Sequence, residues 1–427
     1  MRRRRFLALT TGMAGSIAWT ATGCGDSGTA RSDGHTLTMI ATDYGGTERG
    51  TSTQAYWDEV VASFRKKRPD VEVKVITHSA RVAERKVAEL VDKGEPPDIA
   101  QITSFAGHAA AGRLHVTNEV LSIPVQADFV PALASAGELR RVQYALPFVA
   151  NLQLLFYNRD LFATAGLDPE RPPRTWEELK DCALALRAVG VDVPYGLAMG
   201  PEDAHVEAMT WMLGNGGGFT GENGMYAIDA PENVQTMSWL RKELVGRGLT
   251  TTSPALTSRR ALSDLFAKGK VGMLNGNLSL MLQADAAGLA YGTAPVPGRT
   301  DLSRTTMGSA HWMLAFRKEG NGDVVGAFLD HVYAEENHHR FAVRHNTLPV
   351  TVSATERMAR DEGNARMRPF LDRLGAAEFH PSHKVSWNAV GERIKERIGQ
   401  AVLTDGDPKS VLGALQDTAE KEDAAAR

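Results

Sequence analysis

The amino-acid sequence predicts an α/β protein of two lobes, each carrying a parallel sheet covered by helices. Three observations predict it. From residue 36 onward, strand-like and helix-like patterns alternate in β-α-β order, as parallel strands joined by crossover helices require. Two apolar strand patterns, at 142–147 and 152–157, follow one another almost directly, which suits a hinge where the chain leaves one lobe for the next. Finally, 427 residues, 43% of them hydrophobic, hold more than one core's worth of chain. The net charge is −3 and no basic block follows the N-terminus, so general nucleic-acid binding is excluded. Two cysteines, Cys24 and Cys182, exclude a disulfide framework and a four-cysteine zinc module.

The N-terminus reads as an export signal over residues 1–23. Residues 2–5 are all arginine, residues 6–22 are modestly apolar, and Ala21, Thr22 and Gly23 are small. Arg3-Arg4-Arg5-Phe6-Leu7 also fits a twin-arginine core, the alternative being an ordinary positive head. Ala21-Thr22-Gly23-Cys24 resembles a bacterial lipobox, which implies acylation of Cys24 and anchoring to the outer face of the cell membrane. Residues 24–35 are a polar linker without core formers. Removing the leader deletes four arginines and no acid, so the body becomes more acidic.

Within the body, residues 36–41 alternate as a strand and end in the turn Asp43-Tyr44-Gly45-Gly46. Trp57, Val60, Val61 and Phe64 have helical spacing over 56–67, stopped by Pro69. A strand at 71–76, a helix at 80–92 and a strand at 98–103 complete the first β-α-β-α-β run. After the two hinge strands, Thr175 and Glu178 form a capping box that starts a helix over 176–189, in which Cys182 reads as a buried free thiol. Helices are expected at 204–213, 231–245 and 258–267, with a glycine-rich break at 214–224. Strands follow at 270–274, 291–296 and 311–316, and helices at 323–334, 369–379, 388–402 and 409–423.

Ordered segments of this body resemble the sugar-type extracellular solute-binding proteins of bacterial ABC importers, the group related to maltose-binding protein. The segments are Tyr157-Asn158-Arg159-Asp160-Leu161-Phe162, Ala165-Gly166-Leu167-Asp168-Pro169, Thr175-Trp176-Glu177-Glu178-Leu179 and Phe266-Ala267-Lys268-Gly269-Lys270-Val271-Gly272-Met273. Ala294-Pro295-Val296-Pro297-Gly298 and residues 308–316 continue the series. The resemblance implies a two-lobe periplasmic-binding-protein type II fold with hinge-linked parallel-sheet lobes. One lobe is expected over 36–148 with 296–345, the other over 149–295 with 346–427. It further implies a monomer that captures a carbohydrate between its lobes and delivers it to the transmembrane subunits of a permease, with no cofactor and no catalysis. The chain departs from maltose-type relatives at Phe105 and Leu278, where they often carry tryptophan, and at the bulky His311-Trp312 pair.

A sugar presents partly apolar C–H faces and a rim of hydroxyls, so its site needs aromatic rings and short polar side chains. In open sheets such groups stand on loops beyond the carboxyl ends of strands. That rule selects Tyr44, Phe105, Asn151, Asn275 and Asn277. The resemblance adds Ser309, His311, Trp312 and Trp387, and Trp211 is a further candidate. A phosphorylated polyol such as a glycerophosphodiester is the alternative ligand, and would need cations, the nearest being Arg49, Arg344 and Lys384. An exported carbohydrate-active enzyme is the third reading. It lacks any P-loop or nucleophile-elbow motif, and no catalytic residue is expected. Glu335-Glu336-Asn337-His338-His339 has ligand spacing on a helix but not the order of a zinc motif, so no metal site is expected.

Overall fold

The computed structural model describes residues 35–45 and 52–426. The expected export signal, Cys24, most of the linker and Arg49 lie outside the described residues.

Among the described residues, ten strands build the two main sheets: β1 (His35–Thr42), β2 (Val71–His78), β3 (Ile99–Ile102), β4 (Ala145–Leu152), β5 (Leu154–Asn158), β6 (Val193–Gly196), β7 (Val271–Gly276), β8 (Tyr291–Ala294), β9 (Thr306–Ala315) and β10 (Ala377–Phe379). In the first sheet, β1 runs parallel to β2 and β3, as the β-α-β-α-β reading expects. The other half of that sheet is antiparallel. β9 pairs with β3 on one side and β4 on the other, and takes β10 as a parallel edge neighbour. The second sheet has the order β8-β5-β7-β6, with only β6 and β7 parallel.

Period-2 alternation sets which core each strand feeds. On β9, Met313 and Ala315 pack into one apolar core, while Trp312 and Leu314 pack into the core on the opposite face. On β5, Leu154 and Phe156 join the core shared with the first sheet, while Leu155 and Tyr157 join the core beneath the second. The chain therefore leaves the first sheet at Leu152, enters the second at Leu154, and returns between Ala294 and Thr306. It crosses again after Phe379, because the helices Trp387–Arg397 and Pro408–Ala425 bury Val390, Ile394, Leu412 and Leu415 in the second lobe's core.

Most elements fall where the sequence places them, and one does not. The helix expected over 369–379 is a single turn at Arg368–Leu371, a 3₁₀ turn at Leu374–Ala376 and then strand β10. Pairing with β9 overrides the local helical pattern. Gly308 on β9 allows it, since a Cβ there would come within 2.8 Å of the Phe379 ring.

Candidate functional site

Between the sheets lies a cleft of about 960 Å³, at the large end of the roughly 300–1,000 Å³ typical of small-molecule sites. The turn after β3 and the strand β9 form its first wall. Phe105 and Trp312 meet there edge to face, ring centres 5.7 Å apart, each almost wholly buried. The turn is fixed by Glu84, which also lines the cleft, on the helix Ala80–Asp92; its Oε1 accepts hydrogen bonds from the backbone N–H groups of Thr103 (2.6 Å) and Ser104 (3.1 Å).

A ladder of rings makes the second wall. His205 and His380 stack at 4.5 Å with planes 15° apart, and His380 continues onto Trp387 at 5.0 Å. Phe219 backs both His380 and Trp387. Asn277, Ser309 and Asn388 add short polar groups to the lining. Asn277 also caps the helix Leu278–Ala286, its Oδ1 accepting from the Ser279 N–H at 3.0 Å, which holds its side chain at the end of β7.

Beneath the cleft, Arg259 gathers the floor. Its Nε donates to Asp203 at 2.7 Å, Nη2 to Glu207 at 3.2 Å, and Nη1 to the Gln153 side chain and the Asn275 carbonyl. Asp203 and Gln153 line the cleft; Glu207 is fully buried and also accepts from Tyr195, Trp211 and Asn275. Burial raises both carboxyl groups, and the Arg259 charge opposes that rise. A buried guanidinium between two carboxylates leaves few unmet donors or acceptors, which is what such a group needs to be tolerated.

Several other charges on the lining have partners. Lys384 pairs with Asp423 at 3.1 Å and lies over the Tyr226 ring, Lys395 pairs with Glu392 at 2.6 Å, and Arg85 stands 3.8 Å from Glu89. The three imidazoles of the lining are pushed toward the neutral form. Burial takes His380 down to about 3, and burial followed by the neighbouring His380 lowers His205. Burial and Arg113 lower His108. The imidazoles of the lining thus stand as neutral rings at pH 7.

Of the ten residues the sequence selects, the structure brings Phe105, Asn277, Ser309, Trp312 and Trp387 together around this cleft. The other five lie outside its lining. The Tyr44 hydroxyl is hydrogen-bonded with His311 Nδ1 at 2.8 Å and accepts from Gln101 at 2.7 Å, so both rings are engaged with each other. Asn151 accepts from the N–H groups of Leu152 and Leu278, tying β4 to the helix beyond β7. Asn275 is buried on Glu207. Trp211 is buried among Trp176, Tyr195 and Trp239, its Nε1–H donated to Glu207. Sequence reasoning missed His205, His380, Asp203 and Arg259. His380 directly follows β10, so recognising that strand is the signal that would have found it.

A family model described as bacterial extracellular solute-binding protein matches residues 47–338. A binding protein of Brucella abortus (strain 2308) is 24% identical over 383 residues, covering 88% of this chain and 91% of that protein. The sn-glycerol-3-phosphate-binding periplasmic protein UgpB of Salmonella typhimurium is 26% identical over 264 residues, 58% of each chain. Among solved structures, the cyclic alpha-maltosyl-1,6-maltose binding protein from Arthrobacter globiformis superposes with a TM-score of 0.78 at 20% identity, covering 91% of this chain and 99% of that one. These relatives bear the names of binding proteins, not enzymes. With two lobes around a ring-walled cleft and a family match running from the first lobe through the second and back, the chain belongs to the bacterial extracellular solute-binding proteins.

Proposed function

We propose that this protein is the extracytoplasmic substrate-binding component of an ABC importer, that it takes a sugar or oligosaccharide into the cleft, and that it hands the ligand unaltered to a membrane permease. The observation that carries the reading is that rings from both lobes line one cleft, Phe105 and Trp312 from the first and His380 and Trp387 from the second. Flat C–H faces of a pyranose pack on such rings, while Asn277, Ser309, Asn388 and Asp203 meet hydroxyls. Thermal shift against a carbohydrate panel tests it. A bound saccharide at a hundredfold excess over Kd adds roughly 2.7 kcal/mol, and no stabilisation by any saccharide removes the sugar reading.

A second reading is a phosphorylated polyol. Two arginines on the lining, Arg85 and Arg113, favour it, as does the relative named for sn-glycerol-3-phosphate. Of the cations expected from sequence, Lys384 lines the cleft but is held by Asp423, and Arg344 is paired with Glu59 away from the lining. Stabilisation by glycerophosphocholine and by no neutral sugar would select this reading.

We also propose the lipid anchor at Cys24, to be checked by release of a Cys24→Ser variant from the membrane fraction. For the lobes, we propose the division expected from sequence with 149–152 and 346–379 moved to the first lobe, since all of β4 pairs with β9, β10 joins β9, and Leu348 bridges Ala150 there.

A further inference from the structure

The two lobes also touch directly across the cleft. Ser104, on the turn after β3, and Asn388, in the first turn of the helix Trp387–Arg397, both line it from opposite sides. The Asn388 Nδ2 donates to the Ser104 Oγ at 3.1 Å, and the same hydroxyl lies 3.3 Å from Asn388 Oδ1. Either end of the amide can therefore bond the hydroxyl, so the bridge survives an amide flip. Its first-lobe end is braced rather than loose, because Glu84 Oε1 holds the backbone N–H groups of Thr103 and Ser104. Its second-lobe end is fixed by Trp387, the neighbouring residue packed on His380 and Phe219.

We infer that Ser104 and Asn388 form a lobe-to-lobe latch, with Glu84 as its positioning residue, and that the latch sets how far the protein favours the closed cleft before any ligand contributes. A bridge between two side chains needs no ligand atom, so this holds whichever solute the cleft accepts. The inference rests on the proposed reading of a two-lobe clamp whose closure is an equilibrium between two states. One hydrogen bond can then move the open-to-closed ratio roughly two- to tenfold. It also raises apparent affinity for every ligand in proportion to the closed fraction it maintains.

Small-angle X-ray scattering of the full chain without added solute tests the inference on Ser104→Ala, Asn388→Ala and the double variant. All three are expected to keep the wild-type melting temperature within a degree or two and to show the same larger radius of gyration. The double should be no larger than either single, since both singles remove one shared bond. Glu84→Ala is expected to expand the molecule likewise, while Glu84→Gln, which keeps an acceptor oxygen, stays compact. An unchanged radius in the double variant, or a double that adds two separate effects, overturns the latch. Failure of the sugar panel above would leave this scattering result standing, because no saccharide enters the experiment.

Discussion

At the scale of single residues, three side chains carry separable consequences. Trp387 both faces the cleft and packs on His380 and Phe219, so Trp387→Ala should cost stability by about 3–5 kcal/mol as well as binding. Trp387→Phe is the cleaner variant. It keeps an apolar ring, and titration calorimetry with a stabilising saccharide is expected to show affinity weakened up to about tenfold. Arg259→Ala strands Asp203 and Glu207 and should lower folding stability by about 3–5 kcal/mol in urea titration, while Glu207→Gln costs a fraction of that. The buried histidines set the acid limit. Burial holds His311 at about 4, and His338 and His380 at about 3. In the unfolded chain they take a proton near pH 6.5. The stability they contribute is therefore full above that pH and is lost as pH falls toward 4. The urea midpoint should drop between pH 7 and pH 4.5, and His311→Gln should flatten that slope. A slope identical to wild type would remove His311 from the account. Phe105 was legible in sequence because it follows a strand, whereas Trp312, inside β9, and Trp387, at a helix start, were legible only through the family resemblance. Trp211 was not, because the helix Ala204–Leu213 is buried on nearly all sides and offers no polar face to orient it.

At the scale of elements, amphipathic helices and alternating strands were readable, and fully buried or very short ones were not. The helix Ala80–Asp92 is bounded where its apolar spacing and the Gly94 turn predict. β6 escaped notice since four buried residues including Pro194 and Gly196 carry no alternation, and it is an edge strand where proline costs no ladder bond. β10 was hidden inside a helical pattern because its pairing partner lies some seventy residues upstream. Close packing between elements gives a direct test. The helix Gly322–Tyr333 passes so near Val120 that a Cβ on Gly326 would lie 2.1 Å from the Val120 carbonyl oxygen. Gly326→Ala is expected to lower the melting temperature through about 1–3 kcal/mol of overpacking. A variant as stable as wild type would show that the helix can shift freely.

At the scale of the whole molecule, the two-lobe plan was visible in the sequence, as the paired strands at the crossing and the ordered family-like segments. The mixed character of both sheets was not, since strand direction depends on connections that local periodicity does not record. Nor was the ring ladder of the second wall, which combines residues 205, 219, 380 and 387 from distant parts of the chain. Because the cleft lining comes from both lobes, neither lobe alone should hold a solute. The central claim is that this body clasps a polyhydroxylated solute in its cleft and leaves it chemically intact. Native mass spectrometry of freshly purified protein, followed by release and analysis of whatever is carried, measures that most directly. The account predicts a discrete added mass that is released as an intact saccharide and rebinds when supplied back. A bound compound recovered as cleaved product, or an occupant with no hydroxylated ring or chain, would contradict it.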